Sequence, residues 1–327
     1  MKIVFIVPYF GTFPDGFNLL LKSIEKNKEN YTWLFFTDDR RDYDWPSNTI
    51  VKYGSFSSLK KQIQKRFDFP VSLERPYKLC DYKPAYGYIF EKFIEGYDFW
   101  GHCDIDCIYG KLDHFFTDEE FKSDKILRLG HMTLYRNTKQ NNRRFMDTAD
   151  GRKRYKEVYT TEASCAFDEN NSMKNLNICD IWREHGYSEC LMDEAFANIW
   201  AKGNTFRLTV QKNGADYEIE KKKRSLFIWK NGILKRLCIE DGKLTEREYL
   251  YIHMMGRVMK NLVTGSDISQ FKIIPNQYRN LKHVPENVHE FYCEKWRTVN
   301  CQYVRLRTKY LWIKLKRFSD NRKKNKH

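Results

Sequence analysis

Asp104 and Asp106 stand one residue apart at the end of an apolar run, Tyr97-Asp-Phe-Trp-Gly-His-Cys-Asp-Ile-Asp106. Two carboxylates at one strand tip bring hard oxygen ligands to a single point. Mg²⁺ and Mn²⁺ are commonly held by one or two carboxylates together with the phosphates of a substrate. A cation held there can neutralise a departing diphosphate. The spacing alone does not decide, because Asp42-Tyr43-Asp44 shares it in a polar loop beside Trp45-Pro46. Context separates the two: the second pair follows a run that reads as a strand entering a core, and Gly101 permits close approach of backbone or ligand. The alternative at Asp104/Asp106 is a capped strand end. Cys103, Cys107 and His102 flank the pair, but no CxxC or second Cys/His group at ligand spacing completes a zinc site.

These carboxylates need a scaffold, and the first third of the chain supplies an alternating pattern. Ile3–Val7, Tyr31–Thr37 and Thr49–Tyr53 read as strands. Residues 16–26, with Asp15 as N-cap, and residues 57–67 and 76–95 read as helices. Strands alternating with helices predict an α/β fold with a mostly parallel, doubly wound sheet. Ligands in such sheets bind beyond the carboxyl ends of the strands, where Pro8-Tyr9-Phe10-Gly11, Thr37-Asp38-Asp39 and Asp104-Ile105-Asp106 fall together. Further on, Lys125–Leu129 and Met132–Tyr135 read as short strands around Gly130-His131. Residues 177–182 and 193–200 read as helices, and strands resume at 205–210, 225–229, 232–238 and 246–253. Asn231-Gly232 predicts a tight type I′ hairpin.

At 327 residues the chain can bury a large core, and with no repeats and no Pro/Gly/Ser-rich linker it reads as one domain over residues 1–300. No apolar run approaches the ~20 residues that span a bilayer. The opening Lys2–Val7 is too short for a signal-peptide core, so export is not expected. Nine cysteines without framework spacing fit free thiols in a reducing cytosol. The net charge of +15 is uneven: residues 301–327 hold ten Lys/Arg against Asp320 alone.

The ordered segments Ile6-Val-Pro-Tyr-Phe-Gly11, Phe36-Thr-Asp-Asp39, Arg75-Pro-Tyr-Lys-Leu-Cys-Asp-Tyr-Lys-Pro-Ala-Tyr-Gly87, Gly101-His-Cys-Asp-Ile-Asp106, Gly130-His-Met-Thr-Leu-Tyr-Arg-Asn137 and Tyr251-Ile-His253 resemble glycosyltransferases of the GT-A (Rossmann-like) fold. More narrowly they resemble an uncharacterised bacterial family assigned as glycosyltransferases and found with polysaccharide-biosynthesis genes. The resemblance covers roughly residues 1–275 and implies a nucleotide-sugar donor, with a UDP-sugar expected. It implies that Val7, Pro8 and Tyr9 lie near base and ribose, and that Thr37 and Asp38 cap the base pocket. Lys78, Asp81 and Lys83 would meet the nucleotide on a helix start. His253 would join Asp104 and Asp106 as a metal ligand, which favours Mn²⁺ over Mg²⁺. Arg257 would grip the diphosphate, while Gly130-His131 and Arg136-Asn137 would line the sugar pocket.

Asp193-Glu194 is the candidate base on the acceptor side, where an inverting transfer needs a carboxylate to take the hydroxyl proton. An acidic pair at a helix start also follows from dipole complementarity alone. In the tail, Tyr303, Leu306, Tyr310, Leu311, Ile313 and Phe318 interleave with basic residues, predicting an amphipathic helix for anionic membranes. A cytoplasmic enzyme held peripherally on the inner membrane face, acting on a glycan or lipid-linked acceptor, would use such a tail. A nucleotidyltransferase shares the alternating pattern but normally carries a Gly-rich phosphate loop after its first strand, and Pro8–Phe13 is not one. A nucleic-acid or membrane-binding module is the non-enzymatic alternative. The body lacks the basic-aromatic stripe that nucleic acid requires.

Overall fold

The computed structural model describes residues 1–170, 175–201, 205–212, 216–265 and 268–295, together with helical positions 304–305, 308–309, 311–313 and 315. The basic tail predicted over 301–327 otherwise lies outside the described residues. The strands that frame the site are β1 (Ile3–Pro8), β2 (Tyr31–Thr37), β3 (Thr49–Tyr53), β4 (Phe99–Cys103), β5 (Cys107–Tyr109), β6 (Lys125–Leu129), β7 (Met132–Arg136), β8 (Glu189–Cys190) and β9 (Ala197–Asn198). Seven of them form one sheet in the order β3-β2-β1-β4-β7-β6-β8.

This sheet is mixed, which corrects the expectation of a mostly parallel one. β3, β2, β1 and β4 run parallel, with Phe5 opposite Trp33 on one side and Gly101 on the other. β7 then runs antiparallel to both β4 and β6. The cause is local: two residues, Gly130 and His131, join β6 to β7, and so short a loop connects only antiparallel neighbours. The chain leaves β1 towards β2 on one side and is joined by β4 on the other. The order therefore reverses at β1/β4, and a crevice opens beyond their carboxyl ends.

Both faces of the parallel half are covered, which explains its continuous apolar runs. Ile3, Phe5, Val7, Trp33 and Phe35 face a core shared with helix α1 (Phe17–Glu25) and with Phe227, Trp229, Phe271 and Ile273 of a second sheet. Val4, Ile6, Leu34 and Phe36 face the opposite core, beneath helix α2 (Phe56–Gln64) and the segment 76–94. Each such Val, Ile or Phe side chain contributes about 1.5–3 kcal/mol on burial.

The second sheet has six strands and holds the predicted hairpin: Lys230 pairs with Ile233 across Asn231-Gly232, both at positive φ (50° and 94°). A second tight turn at Asp241-Gly242 (φ 48° and 75°) continues the meander. The strand predicted over 246–253 is two: Lys243–Glu248 stays in this sheet, whereas Tyr251–His253 crosses to a three-stranded sheet between β5 and β9.

Three helix expectations change. Residues 76–85 form a 3-10 helix rather than an α-helix, with Pro84 inside it lacking the N–H that α-helical bonding needs. Residues 193–200 are not helical: Met192 takes φ +46°, and Ala197–Asn198 is drawn into strand pairing with Ile252 and His253. Tertiary pairing overrides local propensity there. Asp15 caps no helix, since its carboxylate accepts the Asn261 N–H at 2.9 Å, and α1 begins at Phe17 with Gly16 at the N-cap and no side-chain cap.

Candidate active site

β4 ends at Cys103, so Asp104 leaves the sheet at the β1/β4 crevice, its N–H donating to the His131 carbonyl at 3.1 Å. Asp106 is fixed at both ends of its residue: its carbonyl accepts the Met254 N–H at 3.0 Å and its Oδ2 accepts the Gly256 N–H at 2.7 Å. The strand Tyr251–His253 pairs His253 with Cys107 of β5 and with Asn198 of β9. That register carries the imidazole to the carboxylates. His253 Nε2 lies 3.3 Å from Asp106 Oδ1 and 3.9 Å from Asp104 Oδ2. One ligand atom from each of the three residues falls within 4.8 Å of the others, and among the described residues they form the metal-capable group of His, Cys, Asp and Glu.

The donor set suits a divalent cation of the Mn²⁺ or Mg²⁺ type, two carboxylates and one imidazole. His253 Nδ1 lies 2.9 Å from Asn198 Oδ1, which can only accept, so Nδ1 carries the proton and Nε2 is left to ligate. Burial pushes His253 towards neutrality, but Asp106 and Asp104 outweigh it and raise its pKa. Burial likewise raises Asp106, yet His253 and the Gly256 N–H bring it down to about 2. In the metal-free protein each of the two thus favours the charged form of the other.

Lys83 closes the group from the other side. Its Nζ donates to Asp104 Oδ1 at 2.7 Å and to the Gly130 carbonyl at 2.9 Å, and it lies 3.3 Å from Asp168 Oδ2. Asp168 reaches this place because residue 130 is glycine: a Cβ there would stand 2.4 Å from Asp168 Oδ2. Burial, relieved in part by Lys83 and reinforced by Glu169 and Asp104, pushes the Asp168 carboxyl up to about 7. Glu169 is raised too, for the same first reason. His131 is buried, its ring 4.4 Å from that of His253, with Nδ1 2.8 Å from the Tyr251 hydroxyl.

These groups surround a cavity of about 720 Å³. Val7, Pro8, Tyr9, Phe10 and Tyr77 give it an apolar side, and Lys83, Asp104, Asp106, Asp168, Glu169 and His253 a charged one. Of the sequence candidates, Val7, Pro8, Tyr9, Lys83, Asp104, Asp106 and His253 thus meet in one place, as do Gly130 and His131. Thr37 lines a neighbouring cavity of about 220 Å³ with Phe10, Lys52 and Tyr53, and Asp38 accepts the Gly11 N–H at 2.7 Å.

The remaining candidates lie elsewhere. Lys78 and Asp81 are fully buried and paired at 2.8 Å. Asp81 accepts the N–H groups of Cys165 and Phe167, and Lys78 donates to the Ala163 carbonyl, so the pair pins the 163–167 loop instead of facing a ligand. Arg257 does not line the cavity: its guanidinium donates to Asn276 Oδ1 and the Trp200 carbonyl, each at 2.8 Å. Asp193 forms a two-point ion pair with Arg128, Nε to Oδ1 at 2.9 Å, and Glu194 pairs with Arg247 at 3.2 Å. Both border a separate cavity of about 330 Å³. Arg136 is paired with Asp124, and Asn137 donates to the carbonyls of Ile94 and Tyr97. His102 Nδ1 faces the Gly130 carbonyl at 3.1 Å, and burial raises the thiols of Cys103 and Cys107.

Sequence reasoning missed Asp168, Glu169 and Asn198. The adjacent acids in Asp168-Glu169-Asn170 were the available signal, in a stretch without periodicity.

No curated protein matches the chain. Among solved structures it is similar to the apo form of mouse xyloside xylosyltransferase 1, at 7% identity and a TM-score of 0.35, over 61% of this chain and 87% of that one. It is also similar to the galactosyltransferase LgtC in complex with donor and acceptor sugar analogs, at 10% identity and a TM-score of 0.31, over 61% of this chain and 75% of that one. At these scores neither assigns the chain a fold or an activity. A family model does match, over residues 5–282, and the chain belongs to that family, a family of unknown function (DUF6625).

Proposed function

We propose that this chain is a metal-dependent glycosyltransferase of GT-A type, moving a sugar from a nucleotide donor, UDP-linked, to a glycan or lipid-linked acceptor in bacterial surface-polysaccharide synthesis. The observation that carries the reading is the convergence of Asp104, Asp106 and His253 at the β1/β4 crevice, with Nε2 presented by Asn198. A divalent cation held by these three would supply positive charge to the donor phosphates and stabilise the departing nucleotide diphosphate.

Val7, Pro8 and Tyr9 line the apolar side of the cavity, where base and ribose would rest. Across the cavity Asp168 and Glu169 offer carboxylate oxygens to sugar hydroxyls, which donate to them. Lys83 holds Asp104 and Asp168 in place. Since Arg257 faces Asn276 and Trp200, the leaving group is left to the metal centre. Asp193 and Glu194, already matched by arginines, belong to the scaffold or to an outer acceptor surface.

Location forms part of the proposal. No helix among the described residues is long and apolar enough to cross a membrane. Val304, Leu311, Trp312 and Leu315 are exposed at helical positions within the strongly basic tail. Apolar and cationic side chains so mixed favour the surface of an anionic membrane, which fits a cytoplasmic enzyme with a lipid-linked acceptor.

The test is nucleotide release from UDP-, GDP- and CMP-sugars with Mn²⁺, with Mg²⁺ and with EDTA. Donor-selective release that EDTA abolishes is the expected result. No release from any donor, with no metal-dependent nucleotide binding, would overturn the reading.

A further inference from the structure

Asp104 presents its two oxygens to different partners. Oδ2 looks towards His253, on the side where the three ligands converge. Oδ1 is held at 2.7 Å by the ammonium of Lys83. That ammonium has little freedom: its side chain is 8% exposed, and the Gly130 carbonyl and Asp168 fix it from two further directions. Lys83 also sits in the short 3-10 segment immediately before Pro84, so its backbone cannot readily shift.

A metal on Oδ2 and an ammonium on Oδ1 share one carboxylate's charge. Like charges this close in a buried site repel more strongly than in water. The free protein therefore offers a divalent cation two carboxylates, one of which, Asp104, is already partly neutralised by a fixed cation. An anionic diphosphate on the open side of the metal relieves that repulsion, because it adds negative charge beside both cations.

We propose that Lys83 is a built-in countercation that keeps the centre's affinity for metal alone low, so that metal and nucleotide diphosphate bind synergistically. The inference rests on the metal-centre reading above and adds a consequence that reading does not require. Lys83 acts here through Asp104, as a positioning residue. By linkage, the factor by which diphosphate strengthens metal binding equals the factor by which metal strengthens diphosphate binding.

The test measures Mn²⁺ binding to the full-length protein by the loss of the free-ion EPR signal, alone and with saturating UDP. Wild type should bind Mn²⁺ weakly alone and at least roughly tenfold more tightly with UDP, about 1.4 kcal/mol of coupling. Lys83→Met should tighten binding of Mn²⁺ alone by roughly the same factor and lose most of the UDP enhancement. Lys83→Arg, which keeps the charge, should restore wild-type behaviour. A merely structural lysine would give the opposite sign, with Lys83→Met binding Mn²⁺ more weakly in every condition, and that result overturns the proposal. Should Lys83→Met not fold, Asp168→Asn carries the test. Without Asp168 the ammonium leans wholly on Asp104, so Mn²⁺ alone should bind more weakly and the UDP enhancement should grow. Unchanged or tighter binding of Mn²⁺ alone would overturn it. Wild type that binds no Mn²⁺ even with UDP would sink the metal-centre reading itself. Wild type that binds Mn²⁺ tightly without UDP would sink only the role of Lys83.

Discussion

Two acidic pairs in this chain, Asp104/Asp106 and Asp193/Glu194, have similar compositions and opposite circumstances. Asp193 and Glu194 each meet an arginine, Arg128 or Arg247, whose charge never leaves at ordinary pH. Asp104 and Asp106 meet a lysine on one side and a histidine on the other, and the histidine can give up its proton to a metal. The first pair is closed by its partners, whereas the second keeps ligand capacity directed at a cavity. What distinguishes a site from a salt bridge is thus the chemistry of the partner, not the density of acid.

The strongest way to break the comparison is to remove a ligand. Asp104→Asn and His253→Gln should each abolish Mn²⁺ binding and lower donor turnover by about three orders of magnitude, several kcal/mol of transition-state stabilisation. Asp193→Asn should leave Mn²⁺ binding as it is and turnover within about threefold. A Mn²⁺ titration and a turnover assay on the three variants decide it, and equal losses would erase the distinction between the pairs.

Next in size is the residue behind the histidine. Asn198→Ala should weaken Mn²⁺ binding by about 10–100-fold, the usual cost of losing an outer-shell partner. Unchanged affinity in a calorimetric titration would mean that strand pairing alone orients His253.

On stability the two members of the closed pair separate. Asp193→Asn removes a charged partner from Arg128, whose side chain is only 10% exposed, and should cost about 2–4 kcal/mol in urea unfolding. Glu194→Gln breaks an exposed pair and should cost less than about 1 kcal/mol.

A final contrast is in pH. His253 has its pKa raised above the ordinary 6.5, so in EDTA its stabilisation is complete below about 6.5 and fades as pH rises through the folded value. Asp106, depressed to about 2, adds stability that is present above its ordinary 3.8 and fades as pH falls towards 2. The metal-free protein should therefore show a fall in urea midpoint on the alkaline side that His253→Gln removes and Asp193→Asn does not. A slope that persists in His253→Gln would assign it to other groups.

Much of this site is legible in the amino-acid sequence. The aromatic strand carrying Asp104, the short strand ending in His253, and the rim Val7-Pro8-Tyr9 are local patterns, and local patterns survive in a sequence. Lys83 stands out because its segment is dense with lysine and aspartate, but so do Lys78 and Asp81, which turn inward to hold a loop. The direction a charged side chain takes is set by partners far along the chain: Arg128 for Asp193, and Asn276 and Trp200 for Arg257. No spacing rule reaches that distance. The same holds for Asn198, which reads as part of a helix until the strand Tyr251–His253 recruits it. The mixed character of the sheet has a local signal too, since Gly130-His131 is too short for anything but a hairpin. The alternating elements upstream outweigh it.

The three-stranded sheet that joins β5, Tyr251–His253 and β9 has one more consequence, for assembly. Its strands come from three distant stretches of chain, and Asp104, Asp106 and His253 are seated on or beside them. A nascent chain that has emerged only as far as residue 250 lacks His253 and the backbone groups of Met254 and Gly256 that clamp Asp106. On the metal-centre proposal, capture of the ion would certify a finished topology. Once bound at a hundred times its dissociation constant, the ion would add about 2.7 kcal/mol against unfolding, and it would fasten together stretches of chain that lie far apart in sequence.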